Sequence, residues 1–145
     1  NHHLPEVKNI ALGTDGIGSN MYEEFKFAYF GHRNAGGPLS PDDFLTFLYN
    51  GNTIIERMFQ APFGRIEPHY TADLVIAEYD SPTPLTGENI AGHLAYGMAA
   101  RDVETVIIDG NLVYENRAFP FDTAPIYREA QEAARRLWKK MDSME

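Results

Sequence analysis

The chain has 145 residues, of which 43% are hydrophobic and 23% charged, a mix that suits one globular domain with its own core and excludes a disordered or low-complexity polymer. It has no cysteine, which excludes disulfide frameworks, Cys-ligated zinc and Cys nucleophiles. The net charge is −9 and the stretch from Asp122 to Glu145 is neutral, so the acidic excess lies in the first 121 residues and argues against nucleic acid and anionic membranes as partners.

The first predicted element is a strand over Val7–Thr14. Its consecutive apolar residues Ile10, Ala11 and Leu12 suit a strand buried on both faces, as in a parallel sheet. A glycine-rich turn follows, Gly13-Thr14-Asp15-Gly16-Ile17-Gly18. Asn20 then reads as an N-cap, with Glu23 completing a capping box, for a helix over Met21–His32 with Met21, Phe25 and Ala28 on one face. After the loop Asn34–Pro38, Ser40, Pro41, Asp42 and Asp43 open a second helix that runs to about Met58, weakest at Asn50-Gly51-Asn52. The aromatics Phe25, Phe27, Tyr29, Phe30, Phe44 and Phe47 are expected in the core.

The pattern changes at Gln60–Gly64. Ala72–Tyr79 predicts a strand, broken by Ser81-Pro82-Thr83-Pro84. Residues 92–99 have no clear period. Val103–Asp109 and Leu112–Glu115 predict a hairpin about Asp109-Gly110, because Asp and Gly both tolerate positive φ. A last helix, Ala124–Met141, carries the apolar stripe Ile126, Ala130, Ala134, Leu137 and Met141, with Glu129 and Glu132 ahead of Arg135, Arg136, Lys139 and Lys140. No apolar run is long enough to span a bilayer. The N-terminus lacks an initiator Met and does not resemble a signal peptide; a processed or truncated cytoplasmic protein is expected.

Asp15 is the residue placed for chemistry. It follows a predicted buried strand and precedes a helix, the position where parallel α/β folds gather reactive groups. A carboxylate there can bind a cation or move protons; the competing reading is a turn Asp that caps its own backbone. Gly13–Asn20 faintly resembles a phosphate-cradling loop but lacks the lysine and the glycine spacing of one. The histidines His2, His3, His32, His69 and His93 form no metal-binding spacing. His2 and His3 are read as a chain-end or tag remnant, His32 as a helix C-terminal side chain, and His69 and His93 as structural.

Three segments, in order, resemble the amidohydrolase superfamily, in its chlorohydrolase, cytosine/guanine deaminase and S-adenosylhomocysteine deaminase branch, closest to the SsnA-type aminohydrolases. The first is Ile10-Ala11-Leu12-Gly13-Thr14-Asp15-Gly16 with Ser19–Lys26, similar to the eighth strand of a metal-dependent (β/α)8 barrel and its following helix. The second, Gly64–Ile76, is similar to the exit from the barrel into a small β-sandwich; His69 stands where many relatives have glycine. The third, His93–Gly97 through Val106–Val113, resembles the hairpin before the C-terminal helix.

The resemblance implies an α/β chain that is the C-terminal part of such an enzyme: residues 1–59 the end of the barrel, 60–119 a β-sandwich segment, and 120–145 a packing helix. It implies hydrolytic deamination or dechlorination of a purine- or pyrimidine-like small molecule by metal-activated water, with Asp15 as catalytic group and metal ligand. Zinc, with iron as the alternative, is the implied metal of the intact enzyme, absent or weakly held here because the other ligands would lie upstream of Asn1. The implied partners are the remainder of the barrel and further copies of the chain. The alternative is a non-catalytic acidic α/β interaction module.

Overall fold

A computed structural model describes residues 9–16 and 18–144. Its elements are α1 (Met21–Asn34), α2 (Pro41–Phe59), β1 (Leu74–Ala77), α3 (Ile90–Tyr96), a 3-10 turn at Ala100–Asp102, β2 (Val103–Ile108), β3 (Asn111–Tyr114) and α4 (Ala124–Asp142). Helices α1, α2 and α3 pack on one another, while the three strands form one antiparallel sheet in the order β1-β2-β3.

Helices α1 and α2 start where nearby side chains satisfy orphan amides. The Asn20 carboxamide oxygen accepts from the N–H groups of Tyr22 (3.1 Å) and Glu23 (3.4 Å), which fixes the start of α1. At α2 the Asp43 carboxylate accepts from the backbone N–H and the hydroxyl of Ser40, both at 2.8 Å. The expected weak point at Asn50–Asn52 does not break α2, which stays continuous to Phe59.

The core is small. Phe25, Tyr29 and Phe44 are buried, with Ala95 of α3 closing the cluster. Phe25 meets Phe44 edge-on with ring centroids 6.5 Å apart, and Tyr29 meets Phe44 at 5.7 Å. The aromatic set expected inside is therefore only partly inside: Phe27 is 80% and Phe30 44% exposed. Helical geometry explains the split. Phe25, Tyr29 and His32 recur at i, i+4 and i+7 and share a face, whereas Phe27 points away from it.

The hairpin forms as its sequence dictates. Asp109 and Gly110 both adopt positive φ, 48° and 76°, the geometry of a tight turn matched to strand twist. The Asp109 N–H also donates to the Asp73 carboxylate at 2.7 Å, tying the turn to the approach of β1.

Two expectations are corrected. Residues 9–14 of the expected strand Val7–Thr14 are not in a sheet; Val7 and Lys8, like His2 and His3, lie outside the described residues. A strand needs at least one neighbouring strand to pair with, and no described residue pairs with this segment in a sheet. The last helix forms almost where expected but packs against nothing substantial: its Ile126, Leu137, Trp138 and Met141 are all exposed. Ile76 and Val75, on opposite faces of β1, are likewise exposed.

Candidate functional site

Asp15 lies in the turn between the extended segment 9–14 and α1. It adopts a left-handed conformation with φ 49°, and Gly18 (66°) and Ser19 (48°) do the same. Aspartate tolerates this region better than most residues because its short polar side chain can bond locally. Two anchors hold the turn. Upstream, the Asn50 side-chain amide donates to the Ile10 carbonyl at 2.8 Å and the Leu12 N–H donates to the Phe47 carbonyl at 3.4 Å. Downstream, the Asn20 cap fixes the first turn of α1.

The Asp15 side chain is exposed. Among the described residues no backbone amide donates to its carboxylate; the bond at this position runs from the Thr14 hydroxyl to the Asp15 carbonyl, at 3.5 Å. The self-capping arrangement weighed from the sequence is thus not seen among those residues. Nor do the described residues gather three His, Cys, Asp or Glu side chains about any point. A catalytic zinc takes about three protein ligands. One exposed carboxylate does not by itself fit a divalent ion.

His32 and His93 are structural in detail. His32 is 1% exposed, and its Nε2 accepts from the Leu39 N–H at 3.1 Å. That bond requires Nδ1 to carry the proton, and Nδ1 is buried without a hydrogen-bond partner. Its ring lies against Gly37, where a Cβ would collide with it. The ring thus serves as a core side chain in the last turn of α1.

His93, on α3, is held from both sides. Its Nδ1 is 3.0 Å from the Tyr79 hydroxyl and its Nε2 3.2 Å from the Thr83 hydroxyl. Gly97 leaves the space the Tyr79 hydroxyl occupies. Together with Asn89, Tyr96 and Pro82 these residues line a cleft of about 270 Å³. The pairing joins residues 10 to 14 positions apart across a proline-rich turn, so spacing alone could not show it. His69 is exposed with φ 72°, the left-handed geometry that glycine adopts without strain.

A second, apolar gap of about 220 Å³ separates the helices from the sheet and is lined by Met21, Tyr22, Phe25, Leu48, Val75 and Leu94. Burial, and secondarily the nearby Asp102 carboxylate, raises the Tyr22 hydroxyl pKa. The hydrogen bond with Tyr96, reinforced by burial, raises that of Tyr29.

Comparison with known proteins places these features. The family model described as "Amidohydrolase family" matches residues 3–113. The chain is 33% identical over 135 residues to a 5-methylthioadenosine/S-adenosylhomocysteine deaminase of Syntrophomonas wolfei, an alignment that covers 88% of this chain and 31% of the relative. It is 32% identical to a 5'-deoxyadenosine deaminase of Methanocaldococcus jannaschii, covering 89% of this chain and 32% of the relative. A deaminase of Thermoanaerobacter pseudethanolicus, named as in Syntrophomonas, is 36% identical over 75% of this chain and 27% of its own length. The chain thus spans about a third of the length of the relatives it matches. With most of its residues matched by the family model, the chain belongs to the amidohydrolase family.

Proposed function

We propose that this chain is the C-terminal third of a hydrolytic aminohydrolase acting on an adenosine-like nucleoside, and that Asp15 is its catalytic and metal-binding carboxylate. The observation that carries the reading is the position of Asp15 within a family match that runs through it. Amidohydrolases generally depend on a divalent metal; here the other ligands, zinc-binding or iron-binding, would come from polypeptide outside the chain. The relatives' names motivate the substrate class, and the leaving group is then ammonia from the adenine ring rather than chloride. Water adds to the amino-bearing carbon, the carbon–nitrogen bond breaks, and the proton lost by water leaves with the amine. Asp15 is the group in this chain able to take and return that proton.

The bare surfaces support the same division. Residues 1–59 would complete a barrel, 60–119 a sandwich, and 120–145 a packing helix. The exposed Phe27, Val75 and Ile76 are apolar area that a larger body would cover. A barrel needs roughly 250 residues. The coding sequence upstream of residue 1 tests the reading: a His-x-His pair within that distance is expected, and its absence contradicts it. The rival reading, an acidic interaction module without catalysis, is favoured by the single carboxylate of the described site. A 145-residue monomer that unfolds cooperatively and releases no ammonia in any longer polypeptide would support the rival.

A further inference from the structure

His32 ties the end of α1 to the start of α2 through a ring nitrogen that has no room for a proton. Nε2 lies 3.1 Å from the Leu39 nitrogen. A backbone N–H only donates, so Nε2 accepts and the single proton of the ring is on Nδ1. The loop is built around the ring in this form. Gly37 packs so closely on it that a Cβ there would overlap three ring atoms, the Gly37 N–H donates to the His32 carbonyl at 2.9 Å, and the Phe44 ring of α2 lies 5.6 Å away between centroids. Nδ1 is buried with no partner among the described residues. An acceptor supplied there by further polypeptide would hold the proton on Nδ1 more firmly and leave Nε2 an acceptor, so the requirement does not depend on what covers this segment.

We propose that His32 is an acid-sensitive latch: uptake of a proton at Nε2 breaks the Leu39 bond, expels the ring from its site, and releases the loop 35–39 together with the contact between α1 and the start of α2. A charged ring in place would set one N–H against another at Leu39. Its second N–H would stay unpaired beside Phe44. Burial penalises a cation in that position heavily.

The charged and titratable groups around the ring do not offset this. On α1 itself the Arg33 guanidinium donates to the Gly37 carbonyl at 2.8 Å and repels a second cation. On α2 the Asp43 carboxylate is taken up by the Ser40 N–H and hydroxyl. On α3, His93 is bonded to Tyr79 and Thr83, and Tyr96 to Tyr29. The end of a helix attracts positive charge through its free carbonyls, but those of Gly31, His32 and Arg33 already accept from the N–H groups of Ala35, Gly37 and Gly36. In the opened form the ring is solvated and takes up a proton near the ordinary imidazole value of about 6.5. The opened form therefore binds more protons than the closed one, and closure weakens as pH falls. This inference is independent of the role of Asp15.

Hydrogen exchange of the Leu39 amide and of peptides covering 33–44, corrected for the intrinsic rate at each pH, tests the latch in the polypeptide that carries this segment. Protection is expected to fall roughly thirtyfold from about pH 7.5 to about pH 5, approaching tenfold per pH unit below about 6.5. In His32→Gln the carboxamide oxygen reaches the place of Nε2 and accepts without titrating, so protection is expected to be the same at both ends of that range. Gly37→Ala, which displaces the neutral ring, is expected to give low protection at both. Wild-type protection indifferent to pH would overturn the proposal. So would an equal acid loss in His32→Gln, which would assign the effect to Asp43 or another carboxylate. The wild-type ring gives a check that needs no variant: its proton resonances are expected to shift over the pH range in which Leu39 loses protection, and a ring that titrates while the Leu39 amide stays protected would overturn the latch.

Discussion

The Asn50 side-chain amide donates to the Ile10 carbonyl at 2.8 Å, bonding the middle of α2 to the segment that leads into Asp15. Segment 9–14 has no sheet partner among the described residues, so its backbone groups find their partners on α2 instead. Asn50 and Gly51, weak helix formers by composition, remain helical because one of them makes this tertiary bond.

Asn50→Ala is therefore expected to loosen residues 9–15 without unfolding α2, removing one hydrogen bond worth roughly 1 kcal/mol. Hydrogen exchange read by mass spectrometry should show faster exchange in peptides covering 9–15 and little change at 21–34. Equal acceleration across both regions would mean that the bond supports the whole helical layer.

Phe25 and Phe44 are each 1% exposed and occupy the centre of the only helical core described. Phe25→Ala or Phe44→Ala should cost about 3–5 kcal/mol, enough to unfold a small chain under ordinary conditions. Phe27→Ala, at an exposed position, should change stability by less than about 0.5 kcal/mol. Urea midpoints of the three variants check the ordering.

Tyr29 and Tyr96 share a hydroxyl hydrogen bond of 2.7 Å, and this bond raises the Tyr29 pKa above the ordinary 10.0. A raised pKa means the folded state holds the proton more tightly than the unfolded one. The contribution is fully present below pH 10 and is lost as pH rises through the folded value. Stability should fall above about pH 10, and Tyr29→Phe, which removes the titrating group, should flatten that slope while lowering stability at pH 7 by about 1 kcal/mol. Thermal melts from pH 7 to 11 test both.

The isolated chain should release no ammonia from adenosine-like nucleosides, with or without added zinc or iron, since one carboxylate does not hold a catalytic metal. A coupled ammonia assay above the no-protein background would contradict this.

Local chemistry was legible in the sequence, and tertiary context was not. The caps at Asn20 and Ser40, the Asp109-Gly110 turn and both long helices follow from side chains and backbone within a few residues of each other. The expected strand Val7–Thr14 did not appear because strand status depends on neighbours, and an apolar run such as Ile10-Ala11-Leu12 cannot supply its own. Phe27 and Phe30 belong to the aromatic stripe expected in the core, although the helical period already turns Phe27 away from Phe25. The His93 cradle and the Asn50 tether are not legible in the sequence because each depends on contacts that only folding creates. At Asp15 the sequence indicates a turn and a family resemblance; the described residues gather no three-ligand group about any point.

The decisive measurement is ammonia release from 5'-deoxyadenosine by the longest polypeptide that contains this segment, compared with its Asp15→Asn variant. The variant is expected to fold normally by circular dichroism and to lose about 10²–10⁴-fold in kcat, with weakened metal retention after dialysis. An Asp15→Asn protein that keeps the full rate and its metal would contradict the assignment of Asp15.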